Sequence, residues 1–514
     1  MEVFYRAATR VQGARAGMAV IAGALRCVQT GTPATRPHPL LWSTPGETVT
    51  MPDDLRSPHA PGPAHAALAH TLTPGLVGLI SVGGVIGAGL FVGSAAIIAR
   101  TGPVVLVSYT VVAVLVILLM RMLGEMSVAS PRVGSFVGHV RLGLGAEAGF
   151  VVGWTYWLAW TVTAASEVIA GGLLLRALTG LPVLAGDAML LLAAGAANLI
   201  SARAYARAEA VLSLIKLVAI GGFILVGALA FTGVFHPARA DLSRLVRAGG
   251  FAPHGLLAAV AIVPTLVQTL VGFEIATVAA AESIDPVRSV TYAARSLVLR
   301  VSAFYVLSLF MVMCIVPWRD VVVGQSPFAL ALRRLGLAWA DMAMTAVVFV
   351  AVASCLNSAL YVASRVQVEM AGAGDAPAAL AATNRRRVPV RAIGLTMAGV
   401  LAIVGSAIAS PDTVYMVVLS CAGTLALFDY VLAALAQIRL RRAMDRAGER
   451  PVFAMWCFPW LSWVVVAAIG VVLIDMAVQG ESRRELLYSG VAFAVIALTG
   501  GLWRRRRVAP GAAG

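Results

Sequence analysis

Charge is scarce in this chain: 12% of its 514 residues are Asp, Glu, Lys or Arg, against about 25% in ordinary soluble domains. That is too little polar surface to cover a water-exposed globule of this length. Lysine is almost missing: 38 of the 39 basic residues are Arg, and Lys216 is the single exception. The five cysteines (27, 314, 355, 421 and 457) form no Cys-x-x-Cys pair and stand beside no His, so neither a disulfide framework nor a zinc site is supported. The seven histidines (38, 59, 65, 70, 139, 236 and 254) all lie outside the apolar runs. A His proton relay or a His-based catalytic constellation at membrane depth is thereby excluded, and no metal or cofactor is expected.

What the chain has instead is apolar length. Sixty per cent of it is hydrophobic, and from residue 74 onward the runs recur with enough residues to cross a bilayer, about 20 each. Twelve spans are expected, near 75–97, 103–123, 148–172, 182–201, 209–231, 256–281, 297–317, 340–368, 391–409, 413–437, 458–477 and 486–503. The fold class is therefore an all-α polytopic membrane protein. Orientation follows from arginine. With the N-terminus inside, the loops after residue 73 carry 22 Arg on the inner side and 10 on the outer, which places both termini in the cytoplasm. The net charge of +15 then reports topology and not a nucleic-acid partner.

Residues 1–73 hold eight of the 24 prolines and no long apolar run, and read as a disordered tail. Gly17–Leu25, between Arg15 and Arg26, is too short to span and alternatively fits a signal or transit peptide. Met51 is an alternative start, in which case residues 1–50 would not be translated. The transmembrane domain is expected over 74–505, with a cytoplasmic tail at 506–514.

Two spans are irregular. The first reads Ser81-Val-Gly-Gly-Val-Ile-Gly-Ala-Gly-Leu-Phe91. Gly83 and Gly87 alone make a small-residue packing pair. Four glycines in seven residues, each costing about 1 kcal/mol against Ala in a helix, argue further for a break. The freed N–H groups and positive dipole end of the half-helix beyond Gly89 suit a carboxylate. The sixth reads Leu270-Val-Gly-Phe-Glu274. Glu274 is an intramembrane acid, which must face a polar interior, and a break at Val271–Gly272 frees carbonyls that accept from an ammonium. Together the two breaks fit an amino acid. The interrupted spans are five apart, so the two halves have opposite topology, the signature of a secondary transporter with its site at the midplane. Lys216 lies nine residues beyond Arg207, roughly 13 Å into the membrane, and a buried lysine can carry a proton; a permanently paired structural role is the alternative. Glu167 in the third span pairs with Lys216 or lines the site. Gln268 and Asp429 are candidates for the substrate side-chain pocket, Asp429 alternatively for a structural partner.

These residues resemble, in order and over some 430 positions, the amino-acid permeases of the amino acid–polyamine–organocation superfamily, in particular the bacterial amino acid transporter branch. The resemblance rests on Gly84-Val-Ile-Gly-Ala-Gly-Leu-Phe-Val-Gly-Ser94, Arg121-Met-Leu-Gly-Glu-Met126, Pro131-Arg-Val-Gly-Ser-Phe136, Gly153-Trp-Thr-Tyr-Trp157, Glu209 with Lys216, Gly272-Phe-Glu274, Ala280-Ala-Glu282-Ser-Ile-Asp-Pro286 and Asn357-Ser-Ala-Leu-Tyr-Val-Ala-Ser-Arg365. It implies a LeuT-type five-plus-five inverted repeat with two added helices and helices 1 and 6 broken. It implies proton-coupled uptake of an amino acid across the plasma membrane. It assigns the substrate carboxylate to Val85, Ile86, Gly87, Ala88 and Gly89, and the amine to the carbonyls of Leu270 and Val271 beside Gly272. It also puts Lys216 where sodium-coupled relatives hold a sodium ion. Ala88 stands where the family commonly has a hydroxyl, Leu270-Val271 replaces Phe-Gly, Thr291 replaces a proline, and Asp429 replaces a neutral residue, so the substrate differs before the fold does. An exchanger of amino acids or polyamines without net proton coupling is the nearest alternative; a membrane-embedded enzyme lacks its histidines, and a channel would line a continuous pore.

Overall fold

A computed structural model describes residues 71–508 apart from Arg132, 236–239, Ala248 and 407–410. The expected N-terminal tail before residue 71, the Gly17–Leu25 segment and the end of the C-terminal tail lie outside the described residues.

The described chain is helical, and among the described residues no β-strand forms. A lone bridge joins Leu72 to Ser283. The first expected span is two helices, α1 (Pro74–Val85) and α2 (Ser94–Thr101), joined through a π-turn at Gly89–Gly93. Then come α3 (Val105–Ala129), the short α4 (Phe136–Leu144), α5 (Ala146–Thr179), α6 (Val183–Ile200) and α7 (Ala202–Leu229). The sixth span is again two helices, α8 (Val263–Leu270) and α9 (Ile275–Ala280). Beyond it lie α10 (Pro286–Tyr292), α11 (Val298–Ile315), α12 (Pro327–Arg334), α13 (Ala338–Gly372), α14 (Val390–Ser406), α15 (Pro411–Arg446), α16 (Trp460–Val478) and α17 (Gly480–Val508).

Local chemistry sets the helix ends. Thr73 caps α1 by accepting from the Leu76 N–H, with Pro74 in the first turn where no N–H is needed. Ser135, Ser201 and Asp285 cap α4, α7 and α10 in the same way. Gly180, left-handed at φ 76°, ends α5.

By length and hydropathy nine described stretches can cross a membrane, and one of them, Pro74–Ala129, is 56 residues long and covers both of the first two expected spans. Burial sorts them into two layers. The most apolar windows of the α8–α9 stretch (Val263–Ala280) and of α5 are 100% and 83% buried, whereas those of α7 and α16 are 28% buried. Helices α1, α3, α5, α8, α13 and α15 form the packed centre, with α5 against α13 and α15 as its largest contacts. Helices α6, α7 and α16 form an outer ring whose exposed leucines, valines and isoleucines suit lipid.

Candidate functional site

The two broken spans meet backbone to backbone. Helix α1 stops at Val85, where Ile86 turns to φ −87° and ψ 91°. Helix α8 stops at Leu270, Val271 is extended, and Gly272 takes φ 122°. A Cβ at Gly272 would sit 2.9 Å from the Gly84 carbonyl carbon and 3.0 Å from the Val85 nitrogen. Only glycine meets both demands, the positive φ and the missing side chain.

The break in α1 falls at Ile86–Gly87, earlier than the half-helix start expected beyond Gly89. None of the four glycines there has a positive φ. Each is instead a point of close approach to a different helix. A Cβ at Gly83 would strike the Glu209 carboxylate of α7, at Gly84 the Ile275 side chain, at Gly87 the Glu167 and Cys355 side chains, and at Gly89 Thr269. The break and the packing are thus one feature. Small residues let side chains of five helices close around the interrupted helix, and three of those helices, carrying Glu167, Lys216 and Cys355, also hydrogen-bond its backbone.

A helix end leaves its last four carbonyls unpaired, and a buried one needs partners for them. Lys216 Nζ donates to Gly83 O (2.8 Å) and Ile86 O (3.0 Å). Cys355 Sγ donates to Gly84 O (3.3 Å), and the Tyr305 hydroxyl donates to Val85 O (2.8 Å). The Lys216 ammonium sits at the negative end of the α1 dipole, and its third proton goes to Ser354 Oγ (2.8 Å). Ser354 in turn donates to Glu209, whose other oxygen accepts from Asn357 Nδ2 (3.2 Å), and Asn198 donates to Asn357 Oδ1 (2.7 Å). Lys216 is fully buried.

On the far side of the break, Ala88 N–H points at Glu167, 3.1 Å from each carboxylate oxygen. The amide expected to take a substrate carboxylate already holds a carboxylate, that of the protein itself. Glu167 and Lys216 are not directly bonded; they grip opposite ends of the same break.

A small cavity lies between α1, α5, α8 and α13. It is lined by Gly84, Val85, Gly87, Gly89, Trp160, Thr163, Glu167, Gln268, Thr269, Val271 and Cys355. Of the residues singled out from sequence, Val85, Gly87, Gly89, Glu167, Gln268 and Val271 line it. Ile86, Ala88, Leu270 and Gly272 lie in the same two backbone breaks without appearing in that lining, and Lys216 sits behind α1. Glu274 is turned away. Its carboxylate accepts from Gly272 N–H (3.0 Å), Tyr156 OH (3.2 Å) and Tyr430 OH (3.1 Å), so it braces the α8–α9 break. Asp429 is also outside the cavity. One oxygen accepts from Thr155 Oγ1 at 2.5 Å and the other has no hydrogen-bond partner among the described residues.

Trp160, Thr163, Thr269 and Cys355 were not anticipated. Trp160 and Thr163 precede Glu167 by seven and four residues, which is one face of a helix, so the position of Glu167 could have led to them. Thr269 and Cys355 carry no comparable signal.

One end of the bundle is sealed. The Arg365 Nε donates to Glu282 Oε1 at 3.0 Å, with both side chains almost fully buried. The guanidinium lies over the Tyr361 ring, which stacks on Tyr205 at 4.3 Å. The segment before α1 is clasped to the same place, since Thr71 and Leu72 N–H donate to Glu282 O and Ile284 N–H donates to Leu72 O.

Comparison with known proteins gives the family. The amino acid permease family model matches residues 77–508. A probable GABA permease of Pseudomonas aeruginosa is 39% identical over 457 residues, covering 87% of this chain and 95% of that protein. The gamma-aminobutyric acid permease of Bacillus subtilis is 36% identical, covering 85% and 93%. The aromatic amino acid transport protein AroP of Escherichia coli O6:H1 is 31% identical, covering 77% and 88%. Among solved structures, a manganese transporter from Eremococcus coleocola shares the fold, with a TM-score of 0.54 at 15% identity over 87% of this chain and 96% of that one. These relatives are transporters and not enzymes. A family match over residues 77–508, with relatives 31–39% identical along most of their length, places this chain in the amino acid permease family.

Proposed function

We propose that this protein imports an amino acid across the plasma membrane by alternating access, with protons as the coupling ion and Lys216 as the group that carries them. The single observation behind the coupling is the Lys216 hydrogen-bond set. An ammonium has three protons and no acceptor, and all three are spent, two on the carbonyls of the α1 break. A neutral amine has two N–H donors and no charge. Loss of one proton therefore removes at least one of the three bonds and the attraction to the α1 dipole together, which releases the half of the first span that leads into the site.

The substrate carboxylate binds the amides around Val85 to Gly89, and Glu167 yields Ala88 N–H as it arrives. The ammonium of an α-amino acid binds the carbonyls of Leu270 and Val271, next to Gly272. The relatives named as GABA permeases favour a short zwitterion such as 4-aminobutyrate. The twelve spans, folded as a five-plus-five inverted repeat with two added helices over residues 74–505, lie in the inner membrane with both termini cytoplasmic. The sealed Arg365 end is the cytoplasmic one, because the arginine bias puts Arg365 on that side.

Uptake into proteoliposomes tests the reading. Accumulation should follow an imposed pH gradient and ignore a sodium gradient; uptake driven by sodium alone would refute proton coupling, and uptake only into preloaded vesicles would make the protein an exchanger. Lys216→Ala should insert normally and lose gradient-driven accumulation entirely. Full accumulation by that variant would remove Lys216 from the mechanism.

A further inference from the structure

We infer that Gln268 is the residue that sets which amino acids the site prefers, by taking the substrate ammonium on its side-chain carbonyl, one helical turn away from the α8–α9 break. The inference rests on the amino-acid transport proposed above.

Gln268 is 7% exposed, lines the cavity, and its Oε1 has no hydrogen-bond partner among the described residues. The orientation of the amide follows from its neighbour. The Thr163 hydroxyl has one proton, and it goes to Ala159 O at 2.8 Å. Thr163 Oγ1 can then only accept, and it does so from Gln268 Nε2 at 2.7 Å. The end left over is the carbonyl oxygen, an acceptor. A buried acceptor without a donor is costly, so the cavity is built to receive a hydrogen-bond donor there.

Apart from Trp160, the other polar side chains lining the cavity are spent. Thr269 Oγ1 donates to Leu266 O at 2.8 Å, Cys355 donates to Gly84 O, and Glu167 holds Ala88 N–H. The Trp160 indole N–H also has no hydrogen-bond partner among the described residues, but it is a donor and cannot meet an ammonium. Among the described residues the cavity lining contains one carboxylate, that of Glu167, and no side-chain cation. Counting also Lys216 and Glu209 just behind α1, the nearby carboxylates outnumber the single ammonium, which favours a cationic donor at Gln268 Oε1 over a neutral hydroxyl.

Its place decides the class of substrate. Gln268 is four residues before Gly272, so its Cα is one turn, roughly 6 Å, from the break along α8, and its side chain leans further toward the helix start. An α-amino acid with its carboxylate at the α1 break would put its ammonium at the carbonyls of Leu270 and Val271. An ammonium at Gln268 needs methylenes in between, as in an ω-amino acid.

The test uses the full chain in proteoliposomes, with labelled 4-aminobutyrate as the probe and unlabelled 4-aminobutyrate and alanine as competitors. Gln268→Leu should shift the ratio of the two inhibition constants by about tenfold or more against 4-aminobutyrate, the worth of a hydrogen bond to a charged group. Gln268→Glu, which keeps an acceptor at the same place, should preserve the wild-type preference. That opposite behaviour of two variants of similar size separates recognition from misfolding. An unchanged ratio in Gln268→Leu, or equal loss in both variants, would overturn the assignment. Wild-type protein that takes up no amino acid at all would instead refute the transport reading.

Discussion

Gly272 shows how much one residue carries in this fold. Its φ of 122° belongs to the region open to glycine, and its Cα faces the Gly84–Val85 peptide of the other break. Alanine there would be strained by about 1–3 kcal/mol and would also push apart the two backbones that frame the cavity. Gly272→Ala is expected to insert but to lose substrate binding, measured as the absence of a substrate-induced rise in melting temperature. His139 is the residue-scale case in a connecting helix. It is buried in α4 with Nδ1 on Ser135 O, and burial pushes its pKa from 6.5 down to about 4. In the unfolded chain it protonates near 6.5, so between about pH 6.5 and 4 the unfolded state binds the extra proton. Stability is then full above pH 6.5 and declines toward pH 4, by about 3 kcal/mol for a shift of this size. His139→Gln should flatten that part of the melting-temperature profile; an equally steep decline in the variant would show that other groups cause it.

At the scale of elements, an interrupted helix is stable here because its neighbours finish its hydrogen bonds. Helix α1 ends in the interior, yet its carbonyls at 83, 84, 85 and 86 find Lys216, Cys355 and Tyr305. These donors come from three other helices, so α1 cannot move without all three being released or carried along. The Arg365–Glu282 pair is the second tie, between α13 and the end of α9. Removing one partner of a buried pair leaves an uncompensated charge, at a cost of about 3–5 kcal/mol. Glu282→Ala should therefore lower the melting temperature and free Arg365, while the Thr71–Leu72 clasp, which rests on the residue 282 main-chain carbonyl, stays. The Cys355 thiol, which lines the cavity and is not in a disulfide, should then react faster with a maleimide supplied from the Arg365 side. Unchanged Cys355 labelling would mean that this end is closed by packing alone.

Across the whole molecule the interior is mostly apolar, with a group of buried polar residues around the two breaks, and the outer helices expose further apolar residues. Val218 illustrates the outer layer. It lies on α7 only two residues from the fully buried Lys216, yet it is 66% exposed, because neighbouring positions on a helix face different ways. Val218→Arg would place a charge on the lipid side at a cost of about 2.5–3.5 kcal/mol. It should lower the amount of protein recovered in the membrane fraction, while Val218→Leu should not.

Much of this was legible in the sequence. Composition and run length determined an all-α membrane protein, since apolar stretches of this length need lipid or another helix around them. The glycines marked the first break, Gly272 the second, and the lone lysine in an apolar run marked a buried cation. Tertiary structure decided what these residues touch. Glu274 reads from sequence like a substrate ligand, but Tyr156, Tyr430 and Gly272 N–H meet there from separate segments and occupy it. Asp429 reads like a partner for a substrate cation, and the packing of α15 on α5 hands it to Thr155. Gln268 gained its meaning because Thr163, 105 residues away in the chain, takes one end of its amide and leaves the other facing the cavity. Span and depth are properties of a single stretch of chain and can be read along it. Hydrogen-bond partners across a bundle depend on which faces meet, and only the folded chain brings those faces together.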